Sequence, residues 1–334
     1  MRIAIDAMGG DNAPKIVVEG ALAAAKEWKD VQIILVGNSA AIEAHLTERP
    51  ANLTIHHTEE VIEAEDEPVK AVRRKKDASM VVAGRLVREK KAEAMISAGN
   101  TGALMTTGLL VVGRIPGIER PALAPMIPTM DGNGVLALDL GANMDATAEQ
   151  LIQYAIMGSI YRAKVHGIAK PRVGLLNVGT EATKGNELTK TAYPLMEQAP
   201  IHFVGNVESS QVLRAKCDVI VCDGFAGNIM LKSLEGAAST IFSALKQEFT
   251  KTFFTKLAAA VLKPGLTQFR KKLDYNEHGA APFLGIDGLV LKSHGSSDAN
   301  AIKNAVRQAR IALQNDLVGT ISAEISHGKR DITT

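Results

Sequence analysis

Residues 3–36 read IAIDAMGGDNAPKIVVEGALAAAKEWKDVQIILV. An apolar run, a glycine-rich polar turn, an amphipathic stretch and a second apolar run follow one another in this segment. This order predicts a strand at residues 3–7, a helix at 16–27 and a second strand at 32–36. Two strands joined through a helix form a βαβ unit, so the segment indicates an α/β protein whose strands run parallel.

The same alternation continues along most of the chain. Further strands are predicted at residues 53–56, 94–97, 135–140, 173–178, 202–204 and 219–222, and helices at 79–90, 147–165 and 188–197. A last long element is predicted at 298–325. The pattern favours a three-layer α/β/α fold, in which a mostly parallel sheet is covered by helices on both faces. Because no repeat or linker divides it, residues 1–325 are interpreted as one domain with two lobes, and 326–334 as a frayed tail.

Residues 249–273 interrupt this rhythm with the sequence FTKTFFTKLAAAVLKPGLTQFRKKL. Pro264-Gly265 predicts the turn of a protruding helical hairpin. Six Lys or Arg and no acid occur between residues 251 and 273, beside apolar stripes, which is typical of helices at an anionic membrane surface. Alternatively, the apolar residues pack on the core or across a dimer interface, or the basic patch docks an acidic partner. The predicted membrane contacts are Leu257, Val261, Leu262 and Leu266.

Composition narrows the class of protein. The 334 residues are 46% hydrophobic and 22% charged, which is ordinary for a globular protein. A net charge of +2, from 38 basic and 36 acidic residues, gives no general argument for a nucleic-acid partner. Cys217 and Cys222 do not form a disulfide framework, and the N-terminus lacks the pattern of a signal peptide. We therefore expect a cytoplasmic protein.

Five predicted strands end in polar, glycine-rich turns. In open α/β sheets, ligands bind beyond the carboxyl ends of the strands, so we expect these turns to converge on one crevice. The turns are DAMGGD (6–11), SAGNTG (97–102), DLGAN (139–143), NVGTE (177–181) and DGFAGN (223–228).

The turn at residues 97–102 precedes an apolar helix, so it presents backbone N–H groups beside side-chain donors. These donors suit a phosphate, although ordinary capping of the helix explains them equally well. The turn after residue 177 contains Lys184, which can place a positive charge on an oxyanion. Arg73, in a basic run at 66–76, can hold phosphate through two hydrogen bonds. His294 lies in a further polar turn, HGSSD, before the last element.

Several catalytic patterns do not occur. The sequence has no GxSxG elbow and no Cys in a Cys-His-Asn context, so a covalent acyl-enzyme is unsupported. It has no HExxH or paired CxxC, so neither a metal nor a redox cofactor is expected. The remaining N–H, amide, hydroxyl and cationic donors suit a small anion and a developing oxyanion.

Taken together, the motifs resemble the PlsX family of phosphate acyltransferases over residues 1 to about 310. The motifs are DAMGGD, DEPVKAVRRKK (66–76), SAGNTGAL (97–104), DLGANMD (139–145), GLLNVGTEATKGNEL (174–188), DGFAGN and HGSSDANA (294–301). The sequence departs from the family at His278-Gly279-Ala280-Ala281, where a Gly pair is expected.

The resemblance implies transfer of a long fatty acyl group from acyl-[acyl carrier protein] to inorganic phosphate. The acyl phosphate would then feed phospholipid synthesis. The resemblance also implies a homodimer and a fold related to phosphotransacetylases and to isocitrate and isopropylmalate dehydrogenases. A long-chain product further favours an enzyme that is peripherally associated with the inner face of the plasma membrane.

The mechanism expected on this basis is direct attack of phosphate on the thioester. The predicted catalytic residues are Lys184 and Asn228 at the oxyanion and His294 as a donor to the leaving thiolate. The predicted ligands of phosphate or acyl donor are Arg73, Ser97, Gly99, Asn100, Thr101, Gly102, Asn177, Gly179, Thr180, Ser296 and Ser297.

Two other functions fit parts of the sequence. The first is a metal- and NAD-dependent hydroxy-acid dehydrogenase of the related fold, for which the expected cluster of Asp ligands is not seen. The second is a non-enzymatic scaffold at the membrane surface, which would explain the hairpin and leave the five polar turns unexplained.

Overall fold

The computed structural model describes residues 1–272 and 280–328, without the side chains of 266–272 and 327–328. The strands are β1 Arg2–Asp6, β2 Gln32–Gly37, β3 Leu53–His57, β4 Ala94–Ser97, β5 Ala122–Leu123, β6 Met126–Ile127, β7 Val135–Leu138, β8 Arg172–Asn177, β9 His202–Glu208, β10 Val219–Val221, β11 Ala281–Leu284 and β12 Leu289–Lys292. The helices are α1 Lys15–Glu27, α2 Ser39–Glu43, α3 Pro68–Arg74, α4 Ser79–Arg88, α5 Thr101–Thr107, α6 Ala148–His166, α7 Glu187–Gln198, α8 Ser209–Val212, α9 Gly224–Phe249, α10 Phe253–Lys272, α11 Ala299–Gln314 and α12 Leu317–Gly328; a π-helix, Gly108–Val112, follows α5.

These strands form two sheets. The first has the order β3-β2-β1-β4-β12-β11-β5, and the second has the order β6-β7-β10-β8-β9. All neighbours are parallel except the pairs β11/β12, β11/β5 and β6/β7. The predicted α/β class with mostly parallel strands is confirmed. The expectation of one sheet is corrected to two, because the chain leaves the first sheet after β5, builds the second, and returns with β11 and β12.

One hydrophobic cluster joins the two sheets. It contains Ile3 and Ile5 of β1, Leu136 and Leu138 of β7, and Tyr154 of α6, all with no solvent exposure. Helices α6, α11 and α12 contact one another between the sheets. Since burial of a shared apolar core couples the elements that form it, we propose that the sheets are the two lobes of one domain.

The hairpin differs from its prediction in the position of the turn. Helix α9 runs to Phe249, the chain turns at residues 250–252, and Pro264 lies inside α10. Threonines at both helix ends explain this position. The hydroxyl of Thr250 donates to the carbonyl of Lys246 at 2.8 Å, and that of Thr252 accepts from the N–H of Thr255 at 3.2 Å. Such capping bonds satisfy groups that a helix end leaves free.

The last predicted element, 298–325, is two helices and not one. Asp316, with φ +46°, separates α11 from α12, and Asp298 caps α11 by accepting from the N–H of Ala301 at 2.8 Å. Helix α12 extends to Gly328, so it enters the segment predicted as a frayed tail. Residues 329–334 of that segment, and residues 278–279 of the HGAA sequence, lie outside the described residues.

Candidate active site

Three turns meet at the carboxyl edge of the first sheet, after β1, β4 and β12. The N–H of Asp11 donates to the carbonyl of Gly295 at 2.9 Å. A Cβ atom on Gly9 would lie 2.8 Å from the nitrogen of Gly99, so only glycine permits this approach of two backbones. We call residues 6–11, 97–102 and 292–298 the first turn group.

Asp6 holds the first two of these turns together. Its buried carboxylate accepts from the hydroxyls of Ser79 at 2.6 Å and Ser97 at 2.7 Å, and from the N–H of Met8 at 3.2 Å. Burial raises the pKa of Asp6, and these hydrogen bonds oppose the rise. Because the Ser97 hydroxyl donates to Asp6 and accepts from the N–H of Gly99 at 3.0 Å, Ser97 shapes the turn. Its predicted contact with phosphate stays a prediction.

Asn100 links the first turn group to α3, which carries Arg73. Its Oδ1 accepts from the N–H of Ala103 at 3.0 Å, and its Nδ2 donates to the carbonyls of Ala64 at 2.9 Å and Asp66 at 3.3 Å. The side chain therefore caps α5 and fastens the preceding loop.

The other predicted residues nearby are solvent-accessible. Thr101 and Arg73 are exposed, whereas Gly99 and Gly102 are half-buried. A Cβ on Gly102 would lie 2.7 Å from Cγ of Pro68, the first residue of α3, so the turn and this helix are in close contact. Arg73 is in the last turn of α3. The structure thus places Arg73 on a helix that touches the 97–102 turn.

His294 is held within its own turn. Its Nδ1 accepts from the N–H of Ser296 at 3.2 Å and lies 2.8 Å from the Ser296 hydroxyl. An acceptor role for Nδ1 assigns the proton of the neutral ring to Nε2. Ser296 is exposed and Ser297 is buried. These contacts orient the imidazole, and its role as a donor stays a prediction.

The remaining turns follow β7, β8 and β10 on the second sheet. Asp139 accepts from the N–H groups of Asn143 at 2.5 Å and Leu123 at 3.3 Å, and burial raises its pKa to about 6. The N–H of Gly224 donates to the carbonyl of Asn143 at 2.9 Å. Asn228, half-buried on α9, lies beside this turn, since a Cβ on Gly141 would be 3.6 Å from its side chain. We call residues 139–145, 177–186 and 222–228 the second turn group.

The loop that carries Lys184 is anchored at two points. Asn177 Nδ2 donates to the carbonyl of Lys184 at 3.1 Å, and Asn206 Nδ2 donates to the carbonyl of Glu181 at 2.8 Å. The stem of Lys184 runs over Gly179, where a Cβ would lie 3.2 Å from its Cγ. Within the described residues, the exposed ammonium has neither a hydrogen-bond nor an ion-pair partner. Thr180 is exposed, and Gly179 is buried beneath the lysine.

A groove of about 940 Å³ begins at this loop and follows α9. Its polar lining includes Asn177, Asn186 and Asp223, which lie at the end of β8, in the Lys184 loop and at the start of α9, and most of its other lining side chains are apolar. It extends along α9 from Ala226 to Ala237, which is about 16 Å at 1.5 Å per residue. The apolar lining includes Leu151, Leu176, Leu188, Ile229, Met230 and Leu234.

The predicted site residues therefore lie in turns of both sheets, which form the two turn groups. The first contains Arg73, residues 97–102 and the His294 turn, and the second contains Asn177, Gly179, Thr180, Lys184 and Asn228. The physical reason is that the strands preceding them belong to different sheets. The sequence interpretation missed Lys292 and the groove. Lys292 could have been noticed as a lysine placed directly before the polar SHGSSD turn.

The hairpin has an exposed apolar surface on α10. The exposed fractions are 59% for Leu257, 77% for Val261 and 52% for Leu262, and those of Phe253 and Phe254 are 76% and 81%. The side chain of Leu266 lies outside the described residues. Among the helices that the structure describes, none has the length and apolarity needed to cross a membrane.

Sequence comparison identifies close relatives. Residues 1–319 match the model of a family described as "Fatty acid synthesis protein". The phosphate acyltransferase of Brevibacillus brevis is 59% identical over 318 residues, which are 95% of this chain and 95% of the relative. The phosphate acyltransferase of Geobacillus thermodenitrificans is 56% identical over 325 residues, which are 97% and 99% of the two chains.

Structure comparison gives the same architecture in more distant proteins. A phosphotransacetylase from Streptococcus pyogenes superposes with a TM-score of 0.60 at 18% identity, covering 94% of each chain. A branched-chain phosphotransacylase from Enterococcus faecalis gives 0.56 at 16% identity, covering 94% of this chain and 99% of the other. At this identity the likeness establishes the fold alone, and the predicted relation to the phosphotransacetylase fold is confirmed.

Proposed function

The chain belongs to the PlsX family of phosphate acyltransferases, and from this premise we propose that it transfers a long-chain fatty acyl group from acyl-[acyl carrier protein] to inorganic phosphate. The family establishes an acyltransferase of fatty acid and phospholipid synthesis. Beyond the family, we propose that the acyl donor is an acyl carrier protein, that the acyl chain is long and that phosphate attacks the thioester directly. The groove along α9 is the observation that supports these proposals.

The groove fits a long acyl chain because it is open, follows α9 and is lined mostly by apolar side chains, with polar residues near the start of the helix. Its volume lies in the range of small-molecule sites, about 300–1,000 Å³. Burying methylene groups there is favourable by about 0.8 kcal/mol each. A chain lying along α9 would place its thioester near Asn177 and the Lys184 loop, where polar donors occur. The open end would leave room for a donor that remains attached to a carrier protein.

The reaction proposed for this site needs no covalent enzyme intermediate. A phosphate oxygen attacks the thioester carbonyl carbon, a C–O bond forms, the C–S bond breaks, and the thiolate leaves on the carrier. Lys184 and Asn228 stabilise the oxyanion of the tetrahedral intermediate. Arg73 and the 97–102 turn hold phosphate, with Ser296 and Ser297 in the same turn group as residues 97–102. The proposed attack requires the two turn groups to face one another around phosphate and thioester. His294 donates to the leaving thiolate, and neither a metal nor a redox cofactor takes part.

Phosphate-dependent release of the carrier thiol tests this function. The purified protein should cleave palmitoyl-[acyl carrier protein] only when inorganic phosphate is present, with one acyl phosphate formed for each thiol released. Sulfate at equal ionic strength is the control. Thiol release at the same rate in sulfate would contradict the proposal. The dehydrogenase alternative predicts instead that NAD with Mg²⁺ and a hydroxy acid yields NADH.

We further propose that the enzyme works as a homodimer at an anionic membrane surface. The support is the exposed apolar surface of α10 and the six basic residues of 251–273. Each Lys or Arg near an anionic bilayer contributes about 1 kcal/mol to binding. A membrane-bound enzyme would release its poorly soluble product where it is used. Packing across the dimer and docking of the carrier protein are the competing roles of this surface.

Replacing both Leu257 and Val261 with Glu should abolish sedimentation with anionic liposomes, because two carboxylates then face the lipid. The wild type should bind and should be released by high salt, which screens the charges. Activity on the carrier-protein substrate should persist in both proteins. The matched control replaces Leu110 and Met130, which are exposed apolar residues away from the hairpin, with Glu. If the hairpin variant binds liposomes as well as this control, the hairpin is not the anchor.

A further inference from the structure

Lys292 belongs to the first turn group, and the reaction proposed above assigns no role to it. It is the last residue of β12, which lies between β4 and β11, and it pairs with Ser97. Its ammonium therefore enters the space between the turns after β1, β4 and β12. The side chain is half-buried.

The hydrogen bonds of Lys292 leave its charge without a counterion. Its Nζ donates to the carbonyl of Ala98 at 3.4 Å and to that of Ser293. Among the described residues, no carboxylate forms an ion pair with it. The carboxylates that act on it electrostatically are those of Asp6 and Asp11, both from the turn after β1. The carboxylate of Asp6 already accepts hydrogen bonds from the hydroxyls of Ser79 and Ser97. The ammonium of Lys292 can donate three hydrogen bonds, but it has only two carbonyl acceptors in the part of the chain that the structure describes, and that of Ala98 lies 3.4 Å away. Its hydrogen-bonding capacity is therefore not filled.

Such an arrangement is costly for a purely structural residue. A buried charge is unfavourable unless it is paired, and replacing it with an apolar side chain would remove that cost. Burial lowers the pKa of Lys292 to about 8, while Asp6 and Asp11 oppose the fall. A strongly perturbed group among polar turns is typical of a functional site. A bound anion would supply the missing counterion.

We propose that Lys292 is a phosphate-binding residue, whose ammonium contacts the inorganic phosphate nucleophile within the first turn group. The inference rests on the proposed function, since it assigns the phosphate site of the same reaction. Lys292 offsets the repulsion that Asp6 and Asp11 exert on a phosphate dianion. It would complement Arg73, which lies on α3, the helix whose first residue contacts the 97–102 turn. Phosphate held by a fixed ammonium and an exposed guanidinium would be oriented for attack.

Replacing Lys292 with Met should raise the KM for phosphate about 10- to 100-fold, the scale of a hydrogen bond to a charged group. The KM for the acyl donor should change much less. Replacement with Arg keeps the charge and should retain most of the phosphate affinity. Lys26→Met is the matched control, since Lys26 is an exposed lysine near the far end of α1 and is paired with Glu48.

The pH dependence of phosphate binding distinguishes this role from a structural one. In the wild type, affinity should fall as pH rises through about 8, because Lys292 then loses its proton. In Lys292→Arg this fall should disappear, since guanidinium stays protonated. When the pKa of a lysine is lower in the folded than in the unfolded state, its charged form destabilises the fold. Removing the charge in Lys292→Met should therefore not lower Tm. A lysine that merely tied the turns together would lower Tm on replacement.

Two measurements keep this inference separate from the proposed function. Phosphate-dependent thiol release by the wild type tests the function, whereas calorimetric titration of inorganic phosphate into each variant tests Lys292. Weakened binding in Lys292→Met with an altered pH profile in Lys292→Arg would support the assignment. Wild-type phosphate affinity in Lys292→Met would overturn it while leaving the function intact. If Lys292→Met does not fold, Lys292→Arg provides the test. The assignment would also be overturned if the phosphate affinity of Lys292→Arg fell above pH about 8 as it does in the wild type.

Discussion

Replacing Lys184 with alanine should lower turnover on acyl-[acyl carrier protein] by about 10²-fold or more, which is the scale of a single oxyanion donor. The structure holds the backbone of Lys184 through Asn177 and lays its stem over Gly179, and the next residue, Gly185, lines the groove. Within the described residues, the ammonium has no hydrogen-bond or ion-pair partner. A charge fixed in this way costs little reorganisation when negative charge develops on the thioester oxygen. The effect should appear in kcat more than in either KM, because the oxyanion exists only in the transition state.

Lys190→Ala is the matched control for this substitution. Lys190 is exposed on α7, a few residues beyond Lys184, and lies outside the 177–186 loop that carries Lys184. Its replacement should leave turnover unchanged. The measurement is steady-state thiol release at saturating phosphate, with circular dichroism to confirm the fold. A normal kcat in folded Lys184→Ala would remove Lys184 from the mechanism.

Replacing Ser233 with Trp should shift the preferred acyl chain from long to short by roughly 10²-fold in relative kcat/KM. Ser233 lines the groove about two turns of α9 beyond Ala226, so an indole there would obstruct the distal half. Excluding about four methylenes at about 0.8 kcal/mol each removes about 3 kcal/mol, which corresponds to this factor. A short acyl chain would end before the obstruction and should react as in the wild type.

Ser239→Trp is the control, since Ser239 is exposed on the same helix and is not part of the groove lining. Both variants should be assayed with butyryl- and palmitoyl-[acyl carrier protein]. The selectivity ratio should change only for Ser233→Trp. Equal loss with both chain lengths would indicate that the groove has another occupant, such as a second copy of the chain.

Local sequence patterns predicted most of the parallel strands. All eight predicted strands are present, from β1 to β4 and from β7 to β10, with ends shifted by a few residues. Apolar runs bounded by polar turns are strong signals because both faces of a parallel strand are buried. The strands β5, β6, β11 and β12 were missed. The strands β5 and β6 have only two residues each, and β11 and β12 each pair with a strand distant in sequence, β5 and β4 respectively.

The assembly of the site could not be predicted from the same patterns. Sequence spacing does not reveal which strands share a sheet, so the division of the polar turns between two sheets was not predicted. Lys292 was missed because β12 was missed. The groove depends on α7, α8 and α9 packing together, which no local motif specifies. The hairpin turn was misplaced because Pro264-Gly265 is a stronger signal in sequence than capping threonines at residues 250–252.

Direct attack of phosphate on the thioester is tested by a single-turnover experiment. Enzyme in excess over palmitoyl-[acyl carrier protein] would be quenched at intervals with and without phosphate, and thiol, acyl phosphate and intact protein mass would be measured. If phosphate attacks directly, no thiol is released without phosphate, and thiol and acyl phosphate form at equal rates when phosphate is present. A stoichiometric burst of thiol without phosphate, together with a protein mass increased by one acyl group, would contradict it.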